Sequence, residues 1–336
     1  METDRPVRLA VVGTPRSGNT WVRHLLGTAY RVPHFSRHSL TEADWAGLPA
    51  EVVLQLHWRR DPRFEETLHR HGFRVVTVAR HPLDVLISIL HFCIYESESE
   101  YWLLGAGGSE AGIQAAMPRS RPFVEYATGP RAAALLAVTP DWWGRPDVLG
   151  IRYEDCVRDT DTELRRIEAA FGPVRAASRA AVIDACAMSE LRKGAINNHF
   201  WKGSPGLWRM LLPTAETAEI APAVAGASRV LGYAVDPDPG LSAAAADRNW
   251  VALVGDEIKA TLRRTTAGHK AQIQERLDRI AELDAHITML EAKLRESVTF
   301  GGPVARRVKG VWNRSPGLAN AVRWLLGKPR PGAPGA

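Results

Sequence analysis

The chain has 336 residues, 45% hydrophobic and 24% charged, with a formal net charge of +6; this suits a soluble globular chain with one substantial domain plus additions, or two small domains. The basic excess favours anionic partners, such as nucleotides, acidic glycans or a membrane surface, without choosing among them. Cys93, Cys156 and Cys186 are odd in number and far apart, which excludes a disulfide scaffold and predicts buried thiols in a reducing compartment; no apolar run reaches transmembrane length and the opening is too short in apolar residues for a signal peptide, so a cytoplasmic protein is expected.

In chain order, "RLAVVG" opens as a short apolar strand, followed by the polar turn "GTPRSGNTW" and a helix start. A second continuous apolar run, "VVLQL" (Val52 to Leu56), precedes the helical pattern "FEETLHRHG", which closes on Gly72. "RVVTVA" (Arg74 to Ala79) is a third run, and "PLDVLISILHFCIYE" places Pro82 at a helix start. The stretch Tyr101 to Arg121, with "LLGAGGSEAG", reads as a mobile loop. "DVLGIRY" (Asp147 to Tyr153) is the fourth run, and "DTDTELRRIEAAFG" is a helix capped by Asp or Thr and ended by Gly172. Continuous rather than alternating apolar runs are the mark of strands buried on both faces. Alternating with helices, they predict an α/β fold: a P-loop-like parallel sheet flanked by helices, with a C-terminal helical extension.

The composition of "VDPDPGLSAAAADRN" sets the expected organisation: a domain over 1–233, a linker over 234–249, a long helix over 250–298 and a basic amphipathic tail over 299–336. Within the helix, Ile273, Ile280, Ile287 and Leu294 recur every seven residues, with Leu283 and Leu290 between them and Arg276 interrupting the series. That is a coiled-coil seam, set against the alternative of one amphipathic helix folded back on the domain. The tail mixes Arg306, Arg307, Lys309, Arg314, Arg323 and Lys328 with Trp312, Leu318 and Trp324. Basic residues with interleaved Trp and Leu fit an interfacial segment on anionic lipid. Homodimerisation through the helix and peripheral contact with the inner face of the membrane are therefore expected.

The turn carries Thr14, Ser17 and Thr20 as hydroxyls, Gly18 where the backbone can approach a ligand, and Arg16 as a fixed charge. Unpaired N–H groups at a helix start sit at the positive end of its dipole, so the turn is an anion cradle for phosphate or sulfate. Gly13 and Gly18 have the P-loop spacing, but Asn19 stands where that motif needs lysine. A kinase or ordinary nucleotide hydrolase loses its main cation.

"RSGNTW" (Arg16 to Trp21), "VTVARHPLDVLISILHF" with Arg80 and Ser88, "IRYEDC" with Tyr153, and "WKGSPGLW" with Lys202 and Gly203 together resemble the PAPS-dependent sulfotransferase family. The resemblance spans Arg8 to Gly232. It implies 3'-phosphoadenosine 5'-phosphosulfate (PAPS) as donor, held by Arg16, Ser17, Gly18, Asn19 and Thr20 at the 5' end and by Arg80, Ser88, Lys202 and Gly203 at the 3'-phosphate. Trp21 and Tyr153 would contact the adenine. His57, after "VVLQL", stands where the family carries its catalytic histidine and would remove the acceptor's proton. Arg16 would stabilise the bridging oxygen as the S–O bond breaks. No metal is implied, and the acceptor is a small molecule, a glycan or a lipid-linked compound bearing a hydroxyl or amine, not a nucleic acid. Clustered Trp102, Trp142 and Trp143 offer a platform for it.

The chain departs from the family pattern in places. Arg16 replaces the commoner lysine, Gln55 stands where "KTH" has lysine, and Trp201 where "RKG" has arginine. "RMLLPTAETAE" keeps little of the family's dimer element. A nucleotide-binding scaffold of the same fold, without transfer, is the alternative, and His57 argues against it.

Overall fold

The computed structural model describes residues 6–37, 45–94, 99, 102–103, 108–114, 116–194 and 200–299; at 194, 256–272 and 294–299 it describes the backbone. The tail beyond 299 and the side chain of Leu294 lie outside the described residues. The chain divides into two compact units, Met1–Thr261 and Leu262–Ala336.

The first unit is built on a parallel sheet of β1 (Arg8–Val12), β2 (His34–Ser36), β3 (Val52–Leu56), β4 (Arg74–Ala79) and β5 (Val148–Arg152), in the order β2-β3-β1-β4-β5. Its helices are α1 (Asn19–Tyr30), α2 (Pro62–Arg70), α3 (Pro82–Phe92), α4 (Arg121–Thr128), α5 (Pro130–Leu136), α6 (Val138–Trp142), α7 (Tyr153–Arg158), α8 (Thr160–Phe171), α9 (Arg179–Ala185), α10 (Met188–Gly194), α11 (Thr214–Leu231) and the start of α12 (Ala243–Thr299). All four apolar runs are strands. β2 has no counterpart in the sequence reading: three half-buried residues, "HFS", pair with β3 at the sheet edge.

Because successive side chains of a strand face opposite ways, β1 feeds two cores. Leu9 and Val11 join Val22, Leu25 and Leu26 of α1 and Leu164 and Ile167 of α8. Ala10 and Val12 join Leu54, Leu56, Phe64 and Trp142 on the other face. Full burial of each Val or Leu contributes about 1.5–3 kcal/mol, so these two layers fix the register that aims the carboxyl ends of β1, β3 and β4 at one edge. Caps end the helices where expected: Asp61 accepts from the N–H groups of Arg63 and Phe64, Asp159 from Thr162, and Gly172 closes α8 at a φ of 95°.

Two expectations need correction. The stretch 234–249 is not a free linker throughout, since α12 starts inside it at Ala243, Ala246 is buried and Val235 packs against the core, just ahead of the buried Trp250 and Val254. An ion pair of Arg119 with Glu216 and Asp247 holds it there. Ala, Asp and Pro disguise this segment as linker, while one Trp just beyond it anchors it. The stretch expected as a loop over 101–121, of which 101, 104–107 and 115 lie outside the described residues, is anchored at several points: Trp102, Leu103 and Ile113 are buried, and Glu110 forms a buried ion pair with Arg131 at 2.9 Å, while Gly108, Ser109, Gly112 and Gln114 are exposed.

In the second unit, the described helix exposes Ile273, Leu277, Ile280, Leu283, Met289 and Leu290. No helix among the described residues is long and apolar enough to cross a membrane. All three cysteines are buried and free, and burial pushes the Cys93 and Cys156 thiols up to about 12.

Candidate active site

The turn between β1 and α1 is drawn tight by its own polar groups. The Thr14 carbonyl accepts from the Ser17 N–H, the Ser17 hydroxyl at 2.8 Å and the Asn19 amide at 2.7 Å. The Thr14 hydroxyl donates to Leu135 O, and its N–H to Thr139 Oγ1. Ser17 therefore spends its hydroxyl inside the turn and Thr14 its own on Leu135 O of α5, and Ser17 is buried rather than presented as the sequence reading expects. Arg16 and Gly18 both take left-handed backbone, at φ of 68° and 108°. Gly18 precedes α1 without a side-chain cap, which leaves the first N–H groups of the helix for a ligand.

A cavity of about 210 Å³ opens at this turn, lined on the α1 side by Arg16, Gly18, Asn19, Thr20 and Trp21. Its far wall comes from Arg80 just after β4, Ser88 of α3, Tyr153 at the start of α7, and Trp201 and Gly203 in the segment after α10. Gly18 is required here, because a Cβ on it would lie 2.5 Å from Tyr153 Cδ2. Tyr153 donates to Gly203 O at 2.8 Å and meets Trp21 edge-on, with ring centroids 5.8 Å apart. Burial pushes the Tyr153 phenol up, against the pull of Arg80. Trp21 is itself tied by a 2.9 Å bond from its indole N–H to Cys186 O.

Arg80 ends β4. Its guanidinium lies 4.7 Å over the Tyr153 ring and donates to Arg16 O, while its Nε is buried without a partner. Arg16 donates from Nε to Ser88 Oγ at 3.3 Å and lies over Phe92. The two arginines that the sequence reading sets in separate pockets thus share one end of the cavity, with the Ser88 hydroxyl on Arg16 rather than on Arg80. Lys202 is exposed and does not line the cavity; its neighbour Gly203, at a φ of 72°, does. That segment is positioned by buried Asp84 of α3, which accepts from the N–H groups of Gly206 and Trp208.

His57 follows β3 and faces the same cavity, largely buried. Its Nδ1 lies 2.8 Å from Gly13 O. A carbonyl can only accept, so Nδ1 carries the proton and the neutral ring presents a lone pair at Nε2. Gln55 donates to that Nε2 at 3.2 Å, and its own Oε1 is buried without a partner. Gly13, just after β1, and Gln55, on the neighbouring β3, thus set the tautomer and direction of the ring.

Of the three tryptophans expected as a platform, Trp102 alone lines the cavity. Trp142 is buried under the sheet and donates to Trp58 O, and Trp143 packs against Gly150 and Arg152. Arg23, Ser36, Met188 and Phe200 also line it and escaped the sequence reading. Only Arg23 left a trace there, three residues after Thr20 and hence on the same helix face.

The arrangement gathers donors of hydrogen bonds, three arginines, an edge-on aromatic pair and one imidazole with a directed lone pair, which is equipment for a nucleotide-borne anion and a proton transfer. Residues 6–212 match the family model described as the sulfotransferase domain. Among solved structures, the mouse sulfotransferase SULT7A1 complexed with PAP is similar at 16% identity, covering 68% of this chain and 89% of that one, with a TM-score of 0.49. A sulfotransferase from Alicyclobacillus acidocaldarius is similar at 15% identity, covering 69% and 98%, with a TM-score of 0.32. A search of the curated proteins gave no match.

Proposed function

The chain belongs to the sulfotransferase family, and from that membership we propose that it moves a sulfuryl group from PAPS to a hydroxyl or amine of its acceptor. The observation that carries the reading is His57, whose tautomer is set by Gly13 O and whose Nε2 faces the cavity at the edge of the anion cradle.

In this reading the uncapped start of α1, with Thr20 and Arg16, holds the 5'-phosphosulfate. Arg80, Ser88 and Gly203 hold the 3'-phosphate, with Lys202 closing from the solvent side, and Trp21 and Tyr153 pack the adenine. The acceptor oxygen gives its proton to His57 Nε2 as its new bond to sulfur forms. The bond from sulfur to the bridging phosphate oxygen breaks, and Arg16 neutralises the charge left there. The products are a sulfated acceptor and adenosine 3',5'-bisphosphate (PAP). The Gln55 amide must leave His57 Nε2 before an acceptor hydroxyl can take its place, so acceptor binding and base exposure are one event.

The distal helix carries a separate proposal: its exposed Ile273, Ile280, Leu283 and Leu290 at heptad spacing fit a second copy of this chain. The test of the transfer reading is incubation with sulfur-labelled PAPS and an acceptor panel, beside calorimetry with PAP. Label transfer with tight PAP binding and no added metal is expected; failure of the protein to bind PAP would overturn the reading.

A further inference from the structure

Several of the described arginines are held by carboxylates. Arg175 forks onto Glu51, Arg179 bridges Asp161 and Glu168, and Arg119 spans Glu216 and Asp247, and in each case the acid raises the arginine's hold on its proton. Arg23 differs. It lies half-buried on α1 with its Nε shut off from water and unpartnered, and its one hydrogen bond runs to the next residue, His24. Burial lowers its proton affinity, with no acid to offset it. A desolvated guanidinium without a counter-charge is an expensive thing to keep, unless a ligand supplies the anion.

The direction in which Arg23 points is set by the helix. Gly27, four residues on and on the same face, packs so closely against His34 of β2 that a Cβ there would collide with the ring. Arg23 therefore faces the β2 side of the cavity, which Ser36 also lines. Ser36 pairs in register with Gln55, which in turn touches His57. Arg80 and Tyr153 stand on the other side of β1, just after β4 and just after β5. His34 Nδ1, also buried without a partner, marks the same corner as short of a ligand.

Resting on the transfer reading above, the donor's phosphates are matched by the turn with Arg16 and by Arg80, which leaves Arg23 over. We propose that Arg23 is the anion-recognising residue of the acceptor site, and that the acceptor carries an anionic oxygen group, a phosphoryl or a carboxylate, near the hydroxyl or amine that is sulfated. The acceptor then binds by two points, its anion at Arg23 and Ser36 and its nucleophile at His57. A bidentate guanidinium contact would fix the acceptor's orientation as well as its affinity.

The test uses the full chain saturated with PAP, titrated calorimetrically with inorganic phosphate, beside Arg23→Gln and Arg23→Lys. PAP affinity itself reports whether each variant is folded. The expected result is phosphate binding that weakens about tenfold or more in Arg23→Gln, the usual scale for a charge-assisted hydrogen bond, recovers partly in Arg23→Lys, and leaves PAP affinity within about twofold. Phosphate binding unaffected by Arg23→Gln, or absent from the wild type, would overturn the acceptor assignment and leave the transfer reading standing. A parallel fall in PAP affinity would place Arg23 in the donor site and overturn it equally. Failure of the wild type to bind PAP would instead remove the donor reading on which the inference rests.

Discussion

The two walls of the cavity are built from the same sheet and differ in what they offer. The wall of β4, β5 and the segment around Gly203 presents a guanidinium over an aromatic ring, buried and locked by Asp84 and by Tyr153. The wall of β3 and β2, with the flank of α1, presents one imidazole, an amide and a guanidinium without a carboxylate partner. The first is fixed-charge and shaped for a flat, anionic ligand; the second holds groups that can exchange protons and partners. In a sulfuryl transfer these correspond to holding the donor and activating the acceptor, and the comparison predicts that damage to either wall should be separable.

The largest separation is expected at His57. His57→Ala should lower turnover about 10²- to 10⁴-fold, the usual range for a positioned general base, and PAP affinity should stay within about twofold. Label transfer and calorimetry on the same preparation read both. Turnover above about a tenth of wild type, under conditions where chemistry is limiting, would remove His57 from that role.

A smaller effect, and one that breaks the comparison at its hinge, is expected at Gly18, which touches both walls. Alanine there must hold a φ of 108° and sit 2.5 Å from Tyr153 Cδ2. Strain of that kind costs about 1–3 kcal/mol, to be seen as a lowered melting temperature together with weakened PAP binding. A variant as stable as wild type with full PAP affinity would show that the turn relaxes freely.

The smallest effect belongs to the β2 side alone. Burial, with His34 and Arg23 adding, holds the His24 imidazole down at about 4, and burial with Arg23 lowers His34 as well. The unfolded chain protonates these rings near their usual value, so between about pH 6.5 and 4 it binds more protons than the folded chain. Stability should therefore fall as pH drops through that window. Glu51, held at about 2 by Arg175 and the Val7 N–H, loses its contribution at lower pH and does not mask the effect. Thermal melts of wild type and His24→Gln from pH 7 to 4.5 should show a shallower decline in the variant; equal slopes would mean that the folded cluster takes up protons freely.

Much of this was readable from the chain because strong local signals coincide with the site. The turn declares itself by Gly13, Arg16 and Gly18, and the strands by unbroken apolar runs that a sheet covered on both faces demands. His57, Arg80 and Tyr153 follow such runs and so fall at the carboxyl edge. What stayed hidden lacks local signal. β2 is three residues whose strand character comes from its neighbour β3, and Met188 and Phe200 reach the cavity through tertiary placement alone. Thr14 and Ser17 look like ligand hydroxyls in sequence, but Leu135 O and the turn itself consume them. The helix reaches back into the expected linker to Ala243, because Ala246 there and Trp250 just beyond it are buried while the composition around them is polar.

The central claim is that the wall carrying Arg80 holds the donor and the wall carrying His57 does not. One calorimetric series with PAP on wild type, Arg80→Ala and His57→Ala tests it directly. The account predicts a loss of about 1.5–3 kcal/mol in Arg80→Ala, the scale of a hydrogen bond to a charged group, and almost none in His57→Ala. Equal losses in both variants, or an Arg80→Ala protein that binds PAP as wild type does, would contradict it.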